Sequence, residues 1–229
     1  MAAFFVVAPG EALAGGKRAV PDLRRDAAQW SRPQNRALIE IPITVHVAKG
    51  SSMSARRSVK RWVDRANAAL ESYGIRVYVR GVRSLPEGYE AVTRWRERRQ
   101  LAAYAPSDGT IHVFAVEELD RRRGFQARRR VRGLHWRYRG LNPKLRSREY
   151  VVVTSAAPMT TLAHELGHMF GLRHSNFADN IMCSCRRGSD VRFTADQGRA
   201  MRDGAEQYVA RHTGGWGGGG VVADRPRRR

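Results

Sequence analysis

The chain has 229 residues, of which 42% are hydrophobic and 28% charged, a balance near the globular average that excludes a disordered chain, a collagen and a coiled coil. No apolar run reaches the roughly 18 to 20 residues of a spanning helix, and two cysteines are too few for a disulfide framework, so the expectation is one hydrophobic core with loose ends. Forty-two Lys and Arg against 21 Asp and Glu leave a net charge of +21, a field that favours anionic partners such as nucleic acid, acidic glycans or acidic polypeptides without naming one.

The apolar stretch Ala2 to Ala8, followed by an Ala-x-Ala step ending at Ala14, resembles the tail of a secretory signal peptide without its basic n-region, which points to a secreted or extracytoplasmic protein. Residues 1–37 read as that remnant and an extended leader. Leu38, Ile39, Ile41, Ile43, Val45 and Val47 alternate in a β-branched run, predicting a strand over 38–48. Val59, Trp62, Val63, Ala66, Leu70 and Tyr73 recur at three- and four-residue spacing between Ser54 and Gly74, predicting a helix over 55–73. Ile75, Val77 and Val79 alternate with polar residues as a second strand, so the chain opens with a βαβ unit.

From Pro86 to Pro106 the signals weaken, with Val92, Trp95 and Ala102 marking a short helix. Thr110 to Val116 is strand-like. Residues 121 to 132 carry seven arginines and no acid, by default a solvated face. Gly133 to Gly140, with Leu134, Trp136 and Tyr138 alternating against His135, Arg137 and Arg139, reads as an edge strand. Tyr150 to Thr154 is the continuous β-branched run of a strand covered on both faces. Thr194 to Gln197 is a capping-box pattern, and Met201, Ala205 and Tyr208 continue it as a helix. Residues 213–229 form a tail rich in glycine and arginine that cannot bury a core.

Residues 164 to 174 read His-Glu-Leu-Gly-His-Met-Phe-Gly-Leu-Arg-His. On a helix beginning at Thr160 or Thr161, His164 and His168 project from one face on consecutive turns, and two imidazoles so placed supply two corners of a tetrahedral zinc site. Gly171 is placed to end the helix in the left-handed conformation and turn the chain, bringing His174 to the third corner. Glu165 is rotated by about 100° from His164, so it flanks the open position of the ion instead of binding it. With three neutral imidazoles, zinc brings the pKa of water toward about 7, and Glu165 is the general base and acid for attack on a carbonyl. His46 and His112 lie outside this pattern and read as packing or surface residues.

This H-E-x-x-H-x-x-G-x-x-H segment, with Asn180-Ile181-Met182-Cys183 downstream, resembles the metzincin zinc endopeptidases. The resemblance implies a methionine beneath the metal at Met182, a substrate bound as an added strand along the edge over the cleft, and roles toward substrate for His135, Arg137 or Arg139. Some metzincins carry a metal-reaching tyrosine two residues past the methionine, where this chain has Ser184. The fold it implies agrees with the element reading: an α+β, mixed α/β layer. A twisted mixed sheet of four to five strands carries a crossover helix, an active-site helix and a C-terminal helix after a Met-turn, all within residues 38–212.

The expected activity is zinc-dependent hydrolysis of peptide bonds in protein or peptide substrates, with a lean toward acidic ones given the arginine excess. The competing reading is a basic protein that binds nucleic acid or another polyanion and carries a catalytically inactive zinc site. Cys183 and Cys185, with one residue between them, lack the spacing of a zinc knuckle and read as small buried residues ahead of a local disulfide or a reactive thiol.

Overall fold

A computed structural model describes residues 37–51, 56–121, 129–185 and 190–213. The leader reading of 1–37 and the tail reading of 213–229 lie outside these residues apart from Ala37 and Thr213, as do residues 122–128 of the arginine run. In chain order the elements are β1 (Ile39–Val47), α1 (Arg56–Leu70), β2 (Ile75–Ser84), β3 (Ala91–Val92), α2 (Trp95–Leu101), β4 (Ile111–Val116), β5 (Glu118–Arg121), β6 (Arg129–Arg130), β7 (Gly133–Arg137), β8 (Glu149–Thr154), α3 (Thr161–Met169) and α4 (Ala195–Thr213). No helix among the described residues is long and apolar enough to cross a membrane.

The main sheet has five strands in the order β2-β1-β4-β8-β7. The first four are mutually parallel, and β7 closes one edge antiparallel to β8. Every residue of β4 and β8 is buried, which is why these two strands read as unbroken apolar runs instead of alternating ones. On one face, Ile41, Ile43, Val45, Val113 and Val151 meet Val59, Trp62, Ala66 and Leu70 of α1 and Leu162 and Leu166 of α3. The chain is thus a mixed α/β layer with a five-stranded twisted sheet, as the alternation of periods two and 3.6 predicts.

The other face carries a second core of Leu85, Val92, Leu101, Phe114, Leu119, Tyr150 and Val152, with Trp136 stacked on Tyr150 at 4.8 Å. Its cover, α2 and a small β3-β5-β6 sheet, comes from the stretch where the sequence signals are weakest, because two-residue strands hold no period to read. Two boundaries also differ from the pattern. Strand β2 continues to Ser84, since a register shift between Ile43 and Thr44 skips Arg80 and lets pairing resume at Gly81. Strand β7 stops at Arg137, so Arg139 lies beyond the edge strand that the alternation assigns it to.

Helix α4 fixes the far end of the site helix. A Cβ on Gly204 would fall 2.1 Å from the carbonyl oxygen of Phe170, so only glycine lets α4 cross directly over the end of α3. Arg202, buried on the same helix, donates to the carbonyls of Ala37 and Gly74, which ties α4 to the start of β1 and the turn before β2.

His46 and His112, expected as packing or surface residues, form a buried chain: His46 Nε2 lies 2.9 Å from His112 Nδ1, and His112 Nε2 lies 3.2 Å from Asp108 Oδ1. A carboxylate only accepts, so His112 carries its hydrogen on Nε2 and its Nδ1 accepts from His46. Burial, reinforced by His112 and Arg83, pushes His46 down to about 4 from its ordinary 6.5, and burial likewise lowers His112. Both rings are neutral in the fold at pH 7, whereas an unfolded histidine takes up its proton near 6.5. The unfolded state therefore binds more protons as pH falls, and stability is lost between about pH 6.5 and 4. Denaturant titration should show a loss of about 2 kcal/mol from pH 7 to pH 5, and His46→Gln, which keeps a donor toward His112, should flatten that slope.

Candidate metal centre

Nine residues make α3, and all but His168 are buried. The helix ends in a two-bond lock: Leu172 N–H donates to Gly167 O at 2.8 Å and Gly171 N–H to His168 O at 3.1 Å. Gly171 takes φ +97°, the left-handed cap that glycine adopts at low cost. The turn it makes returns the chain so that His164, His168 and His174 each offer one nitrogen within 4.8 Å of the other two. The Nε2 atoms of His168 and His174 are 3.1 Å apart, close to the roughly 3.3 Å that two ligands at about 2.0 to 2.1 Å subtend on a tetrahedral zinc.

The ring orientations are fixed from behind. His164 Nδ1 lies 2.6 Å from the carbonyl oxygen of Ile181, and His168 Nδ1 lies 2.9 Å from that of Leu172. A carbonyl oxygen only accepts, so both Nδ1 atoms carry the hydrogen and both Nε2 lone pairs face forward. His164 is buried, His168 half-buried and His174 exposed. The cluster therefore opens toward solvent on one side, where a fourth ligand has room. A donor set of three imidazoles, two of them oriented by carbonyls and the whole open on one side, fits zinc.

The segment that supplies Ile181 O is itself pinned. Asn180 Oδ1 accepts from Met182 N–H at 2.8 Å, and the Asn180 side-chain amide pairs with that of Gln197 through bonds of 2.8 and 3.2 Å. Gln197 closes the capping box at the start of α4, its Oε1 accepting from Thr194 N–H while Thr194 Oγ1 accepts from Gln197 N–H. Ser175 N–H donates to Met182 O, which holds the His174 arm against the same turn. Met182 is fully buried and packs under α3 at Gly167, where a Cβ would fall 2.6 Å from its sulfur.

Asn180 and Gln197 were each visible in the sequence, one in a turn and one in a cap. Their pairing was not, because the two side chains are 17 residues apart. Cys183 and Cys185, read as small buried residues, are joined as a disulfide. The turn after Met182 brings their Cα atoms to 5.2 Å, and only Cys183 is buried.

Glu165 is buried beside the cluster, next to the first residue of β7. A Cβ on Gly133 would lie 2.5 Å from both Glu165 Oε1 and Thr161 Cγ2, so the absence of a side chain there makes room for the carboxylate. The other edge-strand candidates do not join the cluster. His135 and Arg137 both turn to the buried carboxylate of Glu149, at 3.6 and 3.7 Å, and Arg211 of α4 reaches it at 3.6 Å. Burial raises the pKa of Glu149, but His135, Arg137 and Arg211 together outweigh it and hold the carboxyl below its ordinary value. Arg139 is exposed past the end of the strand.

Thr154 N–H donates to Arg132 O and Tyr138 N–H to Arg148 O, which sets the register of β7 on β8. By antiparallel alternation the backbone groups of Leu134 and Trp136 face β8, while those of Gly133, His135 and Arg137 face outward. No strand lies beyond β7 among the described residues.

A scan against protein-family models finds no match, and a search of curated proteins finds none either. Among solved structures, the fold is similar to metalloproteinase-II from Bacteroides fragilis at TM-score 0.51 and 15% identity, over 74% of this chain and 54% of that one. It is also similar, at TM-score 0.48 and 18% identity, to archaemetzincin from Methanopyrus kandleri, over 73% of this chain and 96% of that one. A zinc-dependent peptidase from Methanocorpusculum labreanum follows at TM-score 0.43 and 17% identity, over 69% and 99%. This chain spans about half the length of the Bacteroides protein. At 15% identity the likeness to the Bacteroides protein is one of fold alone, a mixed sheet with helices.

Proposed function

We propose that this protein is a zinc-dependent peptidase of metzincin type. The observation that carries the reading is the conjunction, on one short helix and its turn, of three convergent imidazoles with a buried carboxylate beside them. His164, His168 and His174 would hold the ion. Zinc bound by three neutral imidazoles supplies a Lewis acid that polarises a carbonyl and draws the pKa of water toward about 7.

Everything else falls to the chain's own groups. The Glu165 carboxylate accepts the proton of the attacking water and hands it to the departing amine nitrogen, one group serving as base and then acid. Gly133 gives that carboxylate its place, and Met182 supports the helix from below. The outward N–H and C=O groups of Gly133, His135 and Arg137 offer a peptide a strand to pair with, so the chain being cut lies extended across the metal. His135 and Arg137 then serve the site through their backbone, their side chains being engaged with Glu149. A polyanion-binding protein with an idle zinc site leaves the retained carboxylate and its glycine notch without a purpose.

Mass-spectrometric cleavage profiling of an unstructured protein tests this directly. Chelation should abolish cleavage and added zinc restore it, while Glu165→Gln should bind zinc and lower kcat by about a thousandfold or more; full turnover by that variant refutes the assignment. Gly133→Ala should retain zinc, since the atoms nearest the added methyl belong to Glu165 and Thr161, and slow kcat by about tenfold or more as Glu165 is displaced.

A further inference from the structure

Outside the metal centre, the strongest unexplained feature is a groove on the opposite face of the sheet. It is an open depression of about 370 Å³ between α2 and the turn at Leu145, lined by Trp95, Arg96, Arg99, Gln100 and Leu145. Trp95 is 63% exposed, although burying an indole is strongly favoured. The Arg99 guanidinium lies 5.2 Å from the Trp95 ring centre and 5.9 Å from that of Tyr138.

The groove is also one-signed. Between Thr93 and Pro106 the only acid is Glu97, and its carboxylate is engaged by the backbone N–H groups of Thr93 and Arg94. Between Tyr138 and Arg148 there is no acid at all, against Arg139, Lys144, Arg146 and Arg148. Cations that so outnumber the acids beside them lower their energy by taking up anionic groups.

Two observations choose the occupant. First, the Arg99 guanidinium already lies over the Trp95 ring and near that of Tyr138, and a guanidinium so placed keeps N–H donors for a carboxylate. Nucleobases would need those ring faces free. Second, the groove continues the free edge of β7: Arg137 ends the strand and the next residue, Tyr138, is the ring beneath Arg99.

We infer that this groove is an exosite for an acidic segment of the polypeptide substrate. The inference rests on the peptidase reading of the metal centre. A substrate strand pairs with β7 antiparallel, the more stable arrangement, with the bond to be cut near Gly133 because Glu165 lies there. Four residues of strand span about 14 Å to Arg137. The substrate therefore reaches the groove about five residues before the scissile bond, on its N-terminal side, and acidic side chains from there onward meet Arg96, Arg99 and Arg146.

The test uses the full chain loaded with zinc and a peptide built around a bond it cuts, carrying an acidic tract on the N-terminal side, the same tract on the C-terminal side, or a neutral one. The N-terminal tract should raise kcat/KM about tenfold through KM, and the gain should vanish near 0.5 M salt. Arg96→Glu should reverse the preference toward an N-terminal lysine tract. Equal gains from tracts on either side, or an unchanged ratio in Arg96→Glu, overturn the inference.

If no peptide is cut, the peptidase reading fails on its own account and the groove is judged by fluorescence anisotropy. A labelled acidic peptide should bind the unaltered chain about tenfold tighter than Arg96→Glu, and tighter than a single-stranded oligonucleotide of equal charge. The reverse order of affinities overturns the inference.

Discussion

The Nδ1–H groups of His164 and His168 donate to two backbone carbonyls, those of Ile181 and Leu172, and the rest of the architecture can be read as the means of holding those carbonyls still. A histidine free to rotate offers either nitrogen in any direction. Once its rear N–H is committed, the front lone pair has one direction. Leu172 O is set by the glycine-capped end of α3, and Ile181 O by a turn braced through Asn180 and Gln197 to the N-terminus of α4. The histidine cluster is therefore positioned by backbone from two sides of the chain, and α4 is part of its frame even though it contributes none of the three imidazoles.

Missing side chains do as much as present ones. Gly133 admits the carboxylate of Glu165 beside the edge strand, Gly167 admits Met182 beneath α3, and Gly204 admits α4 across the end of α3. Each is a place where one methyl group would collide with a neighbour that defines the site. Close approach also explains the compactness of the site: nine helical residues, one turn and one edge strand bring the histidines, the carboxylate and a pairing edge together, with His135, Arg137 and Arg211 gathered on Glu149 to brace β7 from behind.

Much of this was legible in the sequence, and for identifiable reasons. The spacing of His164, Glu165, His168 and His174 encodes helix geometry directly, since four residues is about one turn and Gly171 marks where the turn must break. Strands β4 and β8 were readable because central parallel strands are apolar throughout. Relations between distant residues were illegible. Nothing local says that Gly133 borders Glu165, that Asn180 pairs with Gln197, or that His135 faces Glu149. The small β3-β5-β6 sheet was invisible because its strands are too short for any period, and the Cys183–Cys185 bond stood only as the second choice because its closure depends on the turn that follows Met182.

X-ray absorption at the zinc edge on the metal-loaded protein addresses the central claim most directly. One zinc per chain, with three imidazole nitrogens at about 2.0 to 2.1 Å and one oxygen ligand, is the spectrum this arrangement predicts. Sulfur scattering near 2.3 Å from Cys183 or Cys185, or a first shell that is unchanged when His174 is replaced by alanine, would contradict it.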